Sequence, residues 1–493
     1  MTGRLILASN RLPVEGVRTR DGTRWRASPG GLARALTNAL LDRDGVWIGW
    51  AGLPGHHDVE AGLHASGQTL PFPVRAVPLS EEEERLYYRG FANEVVWPLF
   101  HDLHPYCHFE PAYWEAYRAV NERFADAVAD EAGHDDHVWV HDYHLMGVAE
   151  AARARGVGAP MGFFLHIPFP TPDVLQRFPW HRRLVRSLLH YDRIGFQTGH
   201  DAANFLDCIR TILPDARVAS GDGGLWLLEA MGHTVEVGAF PIGIDAHDIE
   251  RRARSPAVEA PLARWRSHLD DDHVYVLGVE RLDYTKGIPE RLEGFRLALE
   301  RHPELRGRVT LLQHVDPSRQ DVSHYAELRR TIEHEVGRID GEFGTLEWTP
   351  VRYSFRHLEH DQILALYRLA RVALVTPVRD GMNLVAKEFC AAHADGDGVL
   401  VLSEFTGAAH QLSCGALLVN PHDVEGVADA IHRACTMGQG ERRRRMARMR
   451  DVVRREDVGH WMRSFLAGWM PGEARLQATE DAEQAEAGLA LAV

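Results

Sequence analysis

Short apolar runs recur along the 493-residue chain, and they constrain its fold more than any other feature. Each run is rich in Val, Ile, Leu or Phe, is bounded by polar residues, Gly or Pro, and is separated from the next by a longer stretch with helical periodicity. Buried parallel strands that alternate with helices have this pattern, so the sequence predicts an α/β fold. The runs lie at residues 5–8, 138–140, 162–165, 274–279, 309–313, 372–376, 399–402 and 416–419.

The predicted strands fall into two groups, and a segment containing Pro241 and Gly243 lies between them. Pro and Gly are typical of a chain that crosses between compact units. A chain of this length also exceeds what one hydrophobic core usually organises. We therefore expect two domains. The expected divisions are 1–244 for the first domain, 245–456 for the second, a helix at about 457–471 that packs back on the first, and a disordered tail at 472–493.

Charge and cysteine content exclude several classes of partner. The chain has 55 Lys and Arg against 70 Asp and Glu, for a net charge of -15, which does not suit binding to nucleic acid or to anionic lipid. Five cysteines without a CxxC spacing predict reduced thiols, and the apolar run at 5–8 is too short for a signal peptide or a membrane span. We expect a cytoplasmic protein that binds small molecules. A homo-oligomer is compatible with the sequence.

Polar side chains follow the carboxyl ends of several predicted strands. In open parallel sheets, ligands bind at these ends. Two such sheets that face each other across a deep cleft would bring the side chains together at a domain interface. This arrangement, with two Rossmann-like domains, is the GT-B architecture, and it is the fold that we predict. The side chains are those of His141, Asp142, His166, Glu280, Arg281, Arg319, Asp380 and Glu404.

Arg281 and Lys286 follow the strand predicted at 274–279 and form the first candidate cluster. Transfer of a sugar from a nucleotide diphosphate requires the charge on the leaving group to be neutralised, either by a metal ion or by fixed cations and helix N-termini. A guanidinium fork and a compact ammonium group suit a diphosphate, which favours the second solution. We therefore expect neither a metal nor another cofactor. The structural alternative is a pair of basic residues in surface salt bridges.

A second candidate cluster follows a later predicted strand and opens a helix. The backbone amides of Asn383, Leu384 and Val385 would face a phosphate at the helix N-terminus. Glu388 lies about one helical turn further on, where it would bind ribose hydroxyls. Asp380 would hold hydroxyls of the donor sugar, and the structural alternative for Asp380 is an ordinary helix N-cap.

Other stretches are specific enough to indicate a family. They are Ser9-Asn10-Arg11, Gly30-Gly31-Leu32, Trp47-Ile48-Gly49-Trp50, residues 88–101, His141-Asp142-Tyr143-His144 and residues 163–170. With the two clusters, they make the chain resemble the trehalose-6-phosphate synthases, family 20 of the retaining GT-B glycosyltransferases, from about residue 5 to about residue 469. The resemblance implies transfer of glucose from a nucleotide-glucose to glucose 6-phosphate, giving α,α-trehalose 6-phosphate. In this family, retention is explained by a same-face mechanism in which the leaving phosphate helps to deprotonate the incoming hydroxyl.

The resemblance also implies roles for individual residues. The implied catalytic residues are Arg281, Lys286, Asp380 and His166. The implied donor-binding residues are Gly31, Asn383, Leu384, Val385 and Glu388. The implied acceptor-binding residues are Arg11, Trp50, Tyr88, Trp97, Asp142 and Arg319. Two guanidinium groups suit a phosphate dianion, and aromatic rings suit the C–H surfaces of a sugar. Each aromatic residue taken singly, and His166, would otherwise be interpreted as a packing residue.

Two alternatives to this function stay open. The segment 314–319 departs from the usual family pattern, so the acceptor could be another phosphorylated compound, as in a glucosylglycerol-phosphate synthase or a related pseudo-glycosyltransferase. A catalytically silent sugar-phosphate sensor would keep the pocket without the chemistry. The presence of both basic residues of the first cluster, with the acidic residues of the second, favours an enzyme.

Four further motifs receive structural interpretations. Ser80 and Glu83 predict a capping box at the start of a helix that carries Tyr88. Asp395-Gly396-Asp397 has the spacing of a metal motif, but its position predicts a surface turn. His141 and His144 lack a convincing third zinc ligand. The basic, Met-interleaved segment 441–450 predicts a solvated helix face.

Overall fold

The computed structural model describes residues 3–19, 22–27, 36–37, 40, 44–65, 69–267, 273–317 and 323–470. The chain forms two compact units, of which the first ends at Ile242 and resumes at Val458, and the second comprises Gly243–Asp457. The sequence placed the divisions at 244/245 and at about 456/457. Gly31, Arg319 and the tail predicted at 472–493 lie outside the described residues.

The first unit is built on a large, mainly parallel sheet. Its described strands are β1 Leu5–Arg11, β2 Val14–Thr19, β3 Gly22–Ala27, β4 Gly45–Trp50, β5 Val74–Ala76, β6 His137–His141, β7 Met161–Phe164, β8 Arg193–Phe196, β9 Arg217–Ser220, β10 Trp226–Ala230 and β11 His233–Ala239. The sheet order is β5-β4-β1-β6-β7-β8-β11-β10-β9, while β2 and β3 form a separate antiparallel pair. Pairing is parallel from β5 to β11 and antiparallel from β11 through β10 to β9.

Helices cover the faces of this sheet. Their described bounds are Val59–Ala65, Glu81–Glu83, Glu84–Val96 (a π-helix), Trp97–Phe100, His104–Tyr106 (3₁₀), Pro111–Glu131, Val148–Ala154, Pro172–Leu175, His181–Leu188, Gly199–Ile212, Asp222–Gly224 (3₁₀) and Val458–Leu466. Ser80 Oγ accepts from Glu83 N at 3.1 Å, and Glu83 Oε2 accepts from Ser80 N at 2.8 Å, which confirms the predicted capping box. That box starts the helical segment that carries Tyr88.

The helix Val458–Leu466 returns to the first unit and packs on its sheet. The ring of Phe465 stacks on that of Trp139, with centroids 4.6 Å apart. Strand glycines make room for this contact, because a Cβ at Gly162 or Gly195 would approach Phe465 atoms within 3.1 Å. Phe465 is fully buried, so burial of its ring contributes on the order of 2 kcal/mol to docking of the helix.

The second unit has a wholly parallel sheet among its described strands. These are β12 Val274–Arg281, β13 Val309–Asp316, β14 Val351–Phe355, β15 Val372–Val375, β16 Val399–Ser403 and β17 Leu417–Val419. The sheet order is β14-β13-β12-β15-β16-β17. The central strands are almost wholly buried, as expected when helices cover both faces of a parallel sheet. Together the two units have the predicted α/β fold class.

The helices of the second unit alternate with its strands. Their described bounds are Ala246–Ala253, Pro256–Arg266, Tyr284–Lys286 (3₁₀), Ile288–Arg301, Pro303–Leu305 (3₁₀), Ser323–Phe343, His360–Leu369, Leu384–Ala392, Gly407–Leu412, Val424–Thr436 and Gln439–Arg455. The last of these contains the basic segment. Met446 and Met449 are its fully buried residues, and Arg442 pairs with Asp397 at 2.6 Å. In the described part of the chain, no helix is both long and apolar enough to cross a membrane.

Candidate active site

The sheet of the second unit has a topological switch point between β12 and β15. The strand order runs outward in one direction from β12 and in the other from β15, and ligands of open α/β sheets bind at such a point. Arg281 and Lys286 lie at and after the end of β12, and Asp380 and Asn383 lie after the end of β15. The structure therefore brings the two predicted clusters to the same edge of one sheet.

Lys286 and Asp380 form an ion pair at this edge. Lys286 Nζ lies 2.6 Å from Asp380 Oδ2, and the two side chains are only 13% and 14% exposed. Asn383 Nδ2 donates to the same oxygen at 3.0 Å. Asn383 is the N-cap of the helix that follows, with φ 70°, and its Oδ1 accepts from Ala386 N at 3.3 Å. The alternative in which Asp380 caps this helix is therefore wrong.

The helix Leu384–Ala392 starts directly at this pair. Its first residues, Leu384 and Val385, have backbone N–H groups without an acceptor inside the helix, which suits an anion. Glu388 lies one turn further along, and its Oε2 accepts from the hydroxyl of Tyr367 at 3.0 Å. The carboxylate of Glu388 is thus held in place at the part of the helix where a ribose was expected.

The loop that carries Lys286 is closely packed against the end of β15. Lys286 ends a 3₁₀ turn in which Asp283 Oδ1 accepts from Thr285 N at 3.0 Å. Gly287 has φ 63°, and a Cβ there would lie 2.4 Å from the carbonyl oxygen of Thr376. A side chain at Gly287 would therefore separate the two loops. Arg281 is exposed and has no hydrogen-bond or ion-pair partner among the residues that the structure describes.

A buried charge network lies beneath these loops. Arg291 Nη1 lies 2.6 Å from Glu280 Oε1, with side-chain exposures of 1% and 8%. Arg291 Nε also donates to Thr376 Oγ1 at 3.0 Å, and Gln313 Nε2 donates to Glu280 Oε1. The sequence placed Glu280 after a strand, whereas it lies within β12 as a structural ion-pair partner. Arg291 was not predicted as part of this network, because the sequence of a helix does not show that one of its arginines is buried.

The sheet of the first unit has the same kind of switch point, between β1 and β6. Arg11 and Trp50 are the last residues of β1 and β4, and Asp142 and His166 follow β6 and β7. These four residues of the predicted site therefore lie along one sheet edge. Tyr88 joins them from the π-helix Glu84–Val96.

The guanidinium of Arg11 lies close to two neighbouring aromatic rings. Its guanidinium carbon lies 4.1 Å from the ring centroid of Trp50 and 5.1 Å from that of Tyr88. Trp50 is buried and donates from Nε1 to the carbonyl of Leu53 at 2.8 Å, which fixes the indole. Gly52 has φ 83°, and a Cβ there would lie 2.2 Å from Arg11 Nη1. Cation–π contacts and the missing Cβ together set the position of the guanidinium.

The π-helix Glu84–Val96 directs Tyr88 and Trp97 toward the same neighbours. The Tyr88 ring stacks on that of His144 at 5.9 Å, the Trp97 ring lies 5.8 Å from that of Tyr143, and those two partner rings are 3.9 Å apart. Trp97 comes nine positions after Tyr88 in the sequence. In an α-helix, with about 100° per residue, this spacing would place them on opposite faces. In a π-helix, with roughly 4.4 residues per turn, it amounts to about two turns.

Asp142 adopts a strained conformation at the end of β6. Its φ is 74°, in the left-handed region that side chains other than Asn and Asp seldom occupy. Its backbone N–H donates to the carbonyl of Phe164 at 2.8 Å, and its Oδ1 accepts from His166 N at 3.2 Å. Backbone strain of this kind is typical of functional sites.

His166 belongs to a short chain of polar side chains. Its Nε2 lies 3.2 Å from His141 Nδ1, and its Nδ1 lies 3.3 Å from Gln197 Nε2. Burial lowers the pKa of His166 to about 3. Burial, and to a lesser extent the charge of His166, lowers the pKa of His141 well below its ordinary value. Gln197 was not predicted from the sequence. It directly follows the end of β8, so it meets the criterion by which Asp142 and His166 were predicted, a polar residue after the carboxyl end of a strand.

The motifs with metal-ligand spacing have structural partners. His141 faces His166, and His144 lies against the rings of Tyr88 and Tyr143. In Asp395-Gly396-Asp397, Asp395 Oδ1 accepts from Asp397 N at 3.2 Å and Gly396 has φ 75°, which confirms the predicted turn.

A cluster of His302, Glu304 and His432 lies elsewhere in the second unit. Glu304 Oε1 is 3.6 Å from His302 Nδ1 and 3.0 Å from His432 Nε2. The two imidazole rings are parallel within 4° and 3.7 Å apart. Lone pairs of parallel rings do not converge on one ion as tetrahedral coordination requires, so the geometry favours a stacked pair bridged by a carboxylate.

Comparisons with known proteins identify the family of this chain. The family model described as glycosyltransferase family 20 matches residues 3–469. A trehalose-6-phosphate synthase of Mycobacterium leprae is 42% identical over 481 residues, covering 95% of this chain and 95% of that protein. A bifunctional trehalose-6-phosphate synthase/phosphatase of Thermoproteus tenax is 41% identical over 494 residues, covering 97% of this chain, but this chain spans only 65% of that protein.

Two solved structures have closely similar folds. One, from E. coli and bound with UDP-2-fluoro glucose, has a TM-score of 0.84 and 38% identity, covering 94% of this chain and 98% of that chain. The other is an α,α-trehalose-phosphate synthase (UDP-forming) from Burkholderia xenovorans in complex with glucose-6-phosphate, with a TM-score of 0.85, 37% identity and coverage of 94% and 99%. These findings confirm the resemblance and the GT-B fold class. The chain belongs to glycosyltransferase family 20.

Proposed function

We propose that this chain transfers glucose from a nucleotide-glucose donor to glucose 6-phosphate and releases α,α-trehalose 6-phosphate. The observation that carries the proposal is the match to trehalose-6-phosphate synthases over nearly the whole chain. The geometry supports it, because basic and aromatic residues suited to a diphosphate and to a phosphorylated sugar lie at the switch points of the two sheets.

The second unit would bind the donor. Arg281, Lys286 and the free amides at Leu384 and Val385 supply positive charge and N–H donors at one sheet edge. These groups would neutralise the charge that develops on the leaving diphosphate, as fixed dipoles and cations do in other transferases. We therefore propose a reaction that needs neither a metal ion nor another cofactor. Asp380, already paired with Lys286, would bind hydroxyls of the transferred glucose.

The first unit would bind the acceptor. The guanidinium of Arg11 lies close to the rings of Trp50 and Tyr88, and these cation–π contacts would hold it in place for a phosphate. Asp142 lies at the same edge, the Trp97 ring lies 5.8 Å from that of Tyr143, and both Asp142 and Trp97 would contact the sugar ring. A solved relative in complex with glucose-6-phosphate supports this choice of acceptor over glycerol 3-phosphate.

We further propose that the donor is UDP-glucose and that the anomeric configuration is retained. Relatives described as UDP-forming or as bound with UDP-2-fluoro glucose support UDP-glucose as the donor. Retention would follow from same-face attack, with the leaving phosphate oxygen as the base, so no enzymic nucleophile is required. A cytoplasmic setting is supported by the five cysteines, all of which are free thiols.

The proposal is tested by a matrix of donors and acceptors. UDP-, GDP- and ADP-glucose are each incubated with glucose 6-phosphate or glycerol 3-phosphate, with and without a chelator, and products are identified by mass and by anomeric linkage. We expect an α,α-linked product from UDP-glucose and glucose 6-phosphate that is insensitive to the chelator. No nucleotide release from any pair would instead favour a silent sensor, and loss of activity that Mg²⁺ restores would overturn the metal-independent chemistry.

Two variants locate the activity in the site. Lys286→Ala should lower kcat by about 100- to 1000-fold, because it removes a fixed cation from the leaving group. Arg329→Ala is the matched control, since Arg329 belongs to an exposed ion pair with Glu333 on a helix surface. Similar losses in both variants would contradict the assignment.

A further inference from the structure

We propose that Gln197 is a positioning residue that holds the His166 ring in one orientation and in one neutral tautomer, with its proton on Nε2. The catalytic consequence rests on the proposed function, in which His166 contacts the transferred glucose. The tautomer itself does not depend on that function. Gln197 is 2% exposed and follows strand β8, so its side chain is enclosed by the first unit.

The orientation of the Gln197 amide is set by the backbone. Gln197 Oε1 lies 3.0 Å from Ile242 N. A backbone N–H can only donate, so the side-chain atom that faces it must be the oxygen. The amide nitrogen therefore lies on the opposite side, where Gln197 Nε2 is 3.3 Å from His166 Nδ1. The usual ambiguity between the oxygen and nitrogen of a glutamine is thus removed by one backbone group.

The amide orientation in turn fixes the tautomer of His166. An NH₂ group can only donate, so His166 Nδ1 must accept and cannot carry a proton. The proton of the neutral ring is then on Nε2, which lies 3.2 Å from His141 Nδ1 and donates to it. Hydrogen bonds therefore run in one direction, from Gln197 through His166 to His141. A doubly protonated His166 would place two donors against each other, and burial also lowers the pKa of this ring to about 3.

The other groups around His166 agree with a neutral ring. Among the described residues, the titratable groups that contact His166 are His141 of β6 and Asp142, whose Oδ1 accepts from the backbone N–H of His166. Phe164 and Trp461 contribute ring contacts, with centroids 4.6 and 5.9 Å from that of His166. Among these neighbours, Gln197 is the group whose hydrogen bond selects between the two nitrogens.

Two substitutions separate positioning from mere packing. Gln197→Glu keeps an oxygen for Ile242 N–H but presents a second oxygen to His166 Nδ1, which favours a proton on Nδ1 and raises the pKa of the ring. Gln197→Leu removes both hydrogen bonds. Gln411→Leu is the control, because Gln411 lies in the second unit and bonds to Glu456.

The tautomer is read without substrate from ¹⁵N-labelled histidine, with the His166 signals assigned by their loss in His166→Asn. We expect the native protein to show a neutral ring protonated on Nε2 at pH 7, and Gln197→Glu to move the proton to Nδ1 or to both nitrogens. A ring protonated on Nδ1 in the native protein, or an unchanged pattern in Gln197→Glu, would overturn the proposal, whether or not the protein proves to be a synthase.

Steady-state kinetics provide a second test of the role of Gln197. Gln197→Glu should lower kcat by about 10- to 100-fold with little change in KM and add a new limb to its pH profile, as loss of an outer hydrogen-bond partner does at other sites. Gln411→Leu should behave like the native protein. If Gln197→Glu and Gln411→Leu have the same kcat and pH profile, Gln197 does not position a group that acts in the reaction.

Discussion

Arg11 shows how a glycine can determine the position of a charged side chain. The guanidinium lies over Trp50 because Gly52, with φ 83°, leaves space for Nη1 where a Cβ would approach within 2.2 Å. The contact is between a backbone position and the far end of a long side chain. A methyl group there would displace the guanidinium rather than break the fold.

Gly52→Ala should therefore raise the KM for the acceptor by about 10-fold while the KM for the donor stays unchanged, because only Arg11 moves and we propose that Arg11 binds the phosphate of the acceptor. The positive φ adds a backbone cost of roughly 1 kcal/mol. Gly156→Ala is the matched control, since Gly156 also has φ 83° but a Cβ there would have no neighbour within 4 Å. Steady-state kinetics with each substrate varied in turn provide the measurement, and equal effects on both KM values would contradict the prediction.

Single residues were predictable where one rule applied to them. Lys286 and Asp380 follow strand ends, and parallel strands bring such residues together at one edge, so both were found from the sequence. Asn383 as the cap of the following helix was not foreseen, because its left-handed backbone is a property of the folded turn. Gln197 satisfied the rule but was overlooked, since a neutral amide has no charge that points to chemistry.

At the scale of elements, the pair of Glu280 and Arg291 joins strand β12 to the helix Ile288–Arg301. Gln313 on β13 and Thr376 after β15 complete the hydrogen bonds of these two groups. A buried charge is tolerated when such partners satisfy it, whereas an isolated one is very costly. These hydrogen bonds therefore link β12, β13 and the residue after β15. Loss of one charged partner would leave the other buried and unpaired, which would destabilise the protein.

Arg291→Met should lower the free energy of unfolding by about 3 to 5 kcal/mol, because it leaves a buried carboxylate without its partner. Adding Glu280→Gln to that variant should restore part of the loss. Arg329→Ala, which removes an exposed pair, should change stability by less than about 1 kcal/mol. Urea unfolding followed by circular dichroism gives the comparison, and a double variant that is less stable than Arg291→Met would contradict this explanation.

For the π-helix that carries Tyr88, the sequence predicted where the helix starts but not its type. The capping box that precedes it was predicted and is confirmed, so the start of a helical segment could be located. Its wide turn was not predicted, because helical periodicity in a sequence is interpreted with the α-helical angle. Asn93 stabilises the wide turn by donating to the carbonyl of Tyr88 at 2.6 Å, and no local sequence rule identifies that contact.

At the scale of the whole molecule, each sheet has its switch point between the first strand of its unit and a later strand. The α/β class and most central strands were predictable from apolar runs. The order of strands was not, because an apolar run specifies burial without specifying a neighbour. The antiparallel strands β9 and β10 were also missed. The residues of β9 are mostly exposed and form no apolar run, whereas β10 begins with a short apolar run that was overlooked.

Several buried histidines make the folded protein sensitive to acid. Burial lowers the pKa of His166 to about 3 and that of His314 to about 4, and it also lowers the pKa of His141 and His393. Between these values and the ordinary value near 6.5, the unfolded chain binds protons that the native protein does not. Stability is therefore lost as pH falls below about 6.5.

We expect the urea midpoint to change little above about pH 7 and to fall between about pH 6.5 and pH 5, with a limiting slope of about 1.4 kcal/mol per pH unit for each histidine that stays neutral in the native protein. His314→Gln, which removes one such group outside both candidate site edges, should flatten the dependence. A midpoint that stays constant over this range, or one that rises toward acid, would contradict the prediction.

The π-helix Glu84–Val96 should be sensitive to changes in its length. Deletion of one residue between Tyr88 and Trp97 would allow ordinary α-helical winding, and the two rings would then point in different directions around the axis. Because we propose that both rings contact the acceptor, such a deletion should weaken acceptor binding even in a variant that folds well.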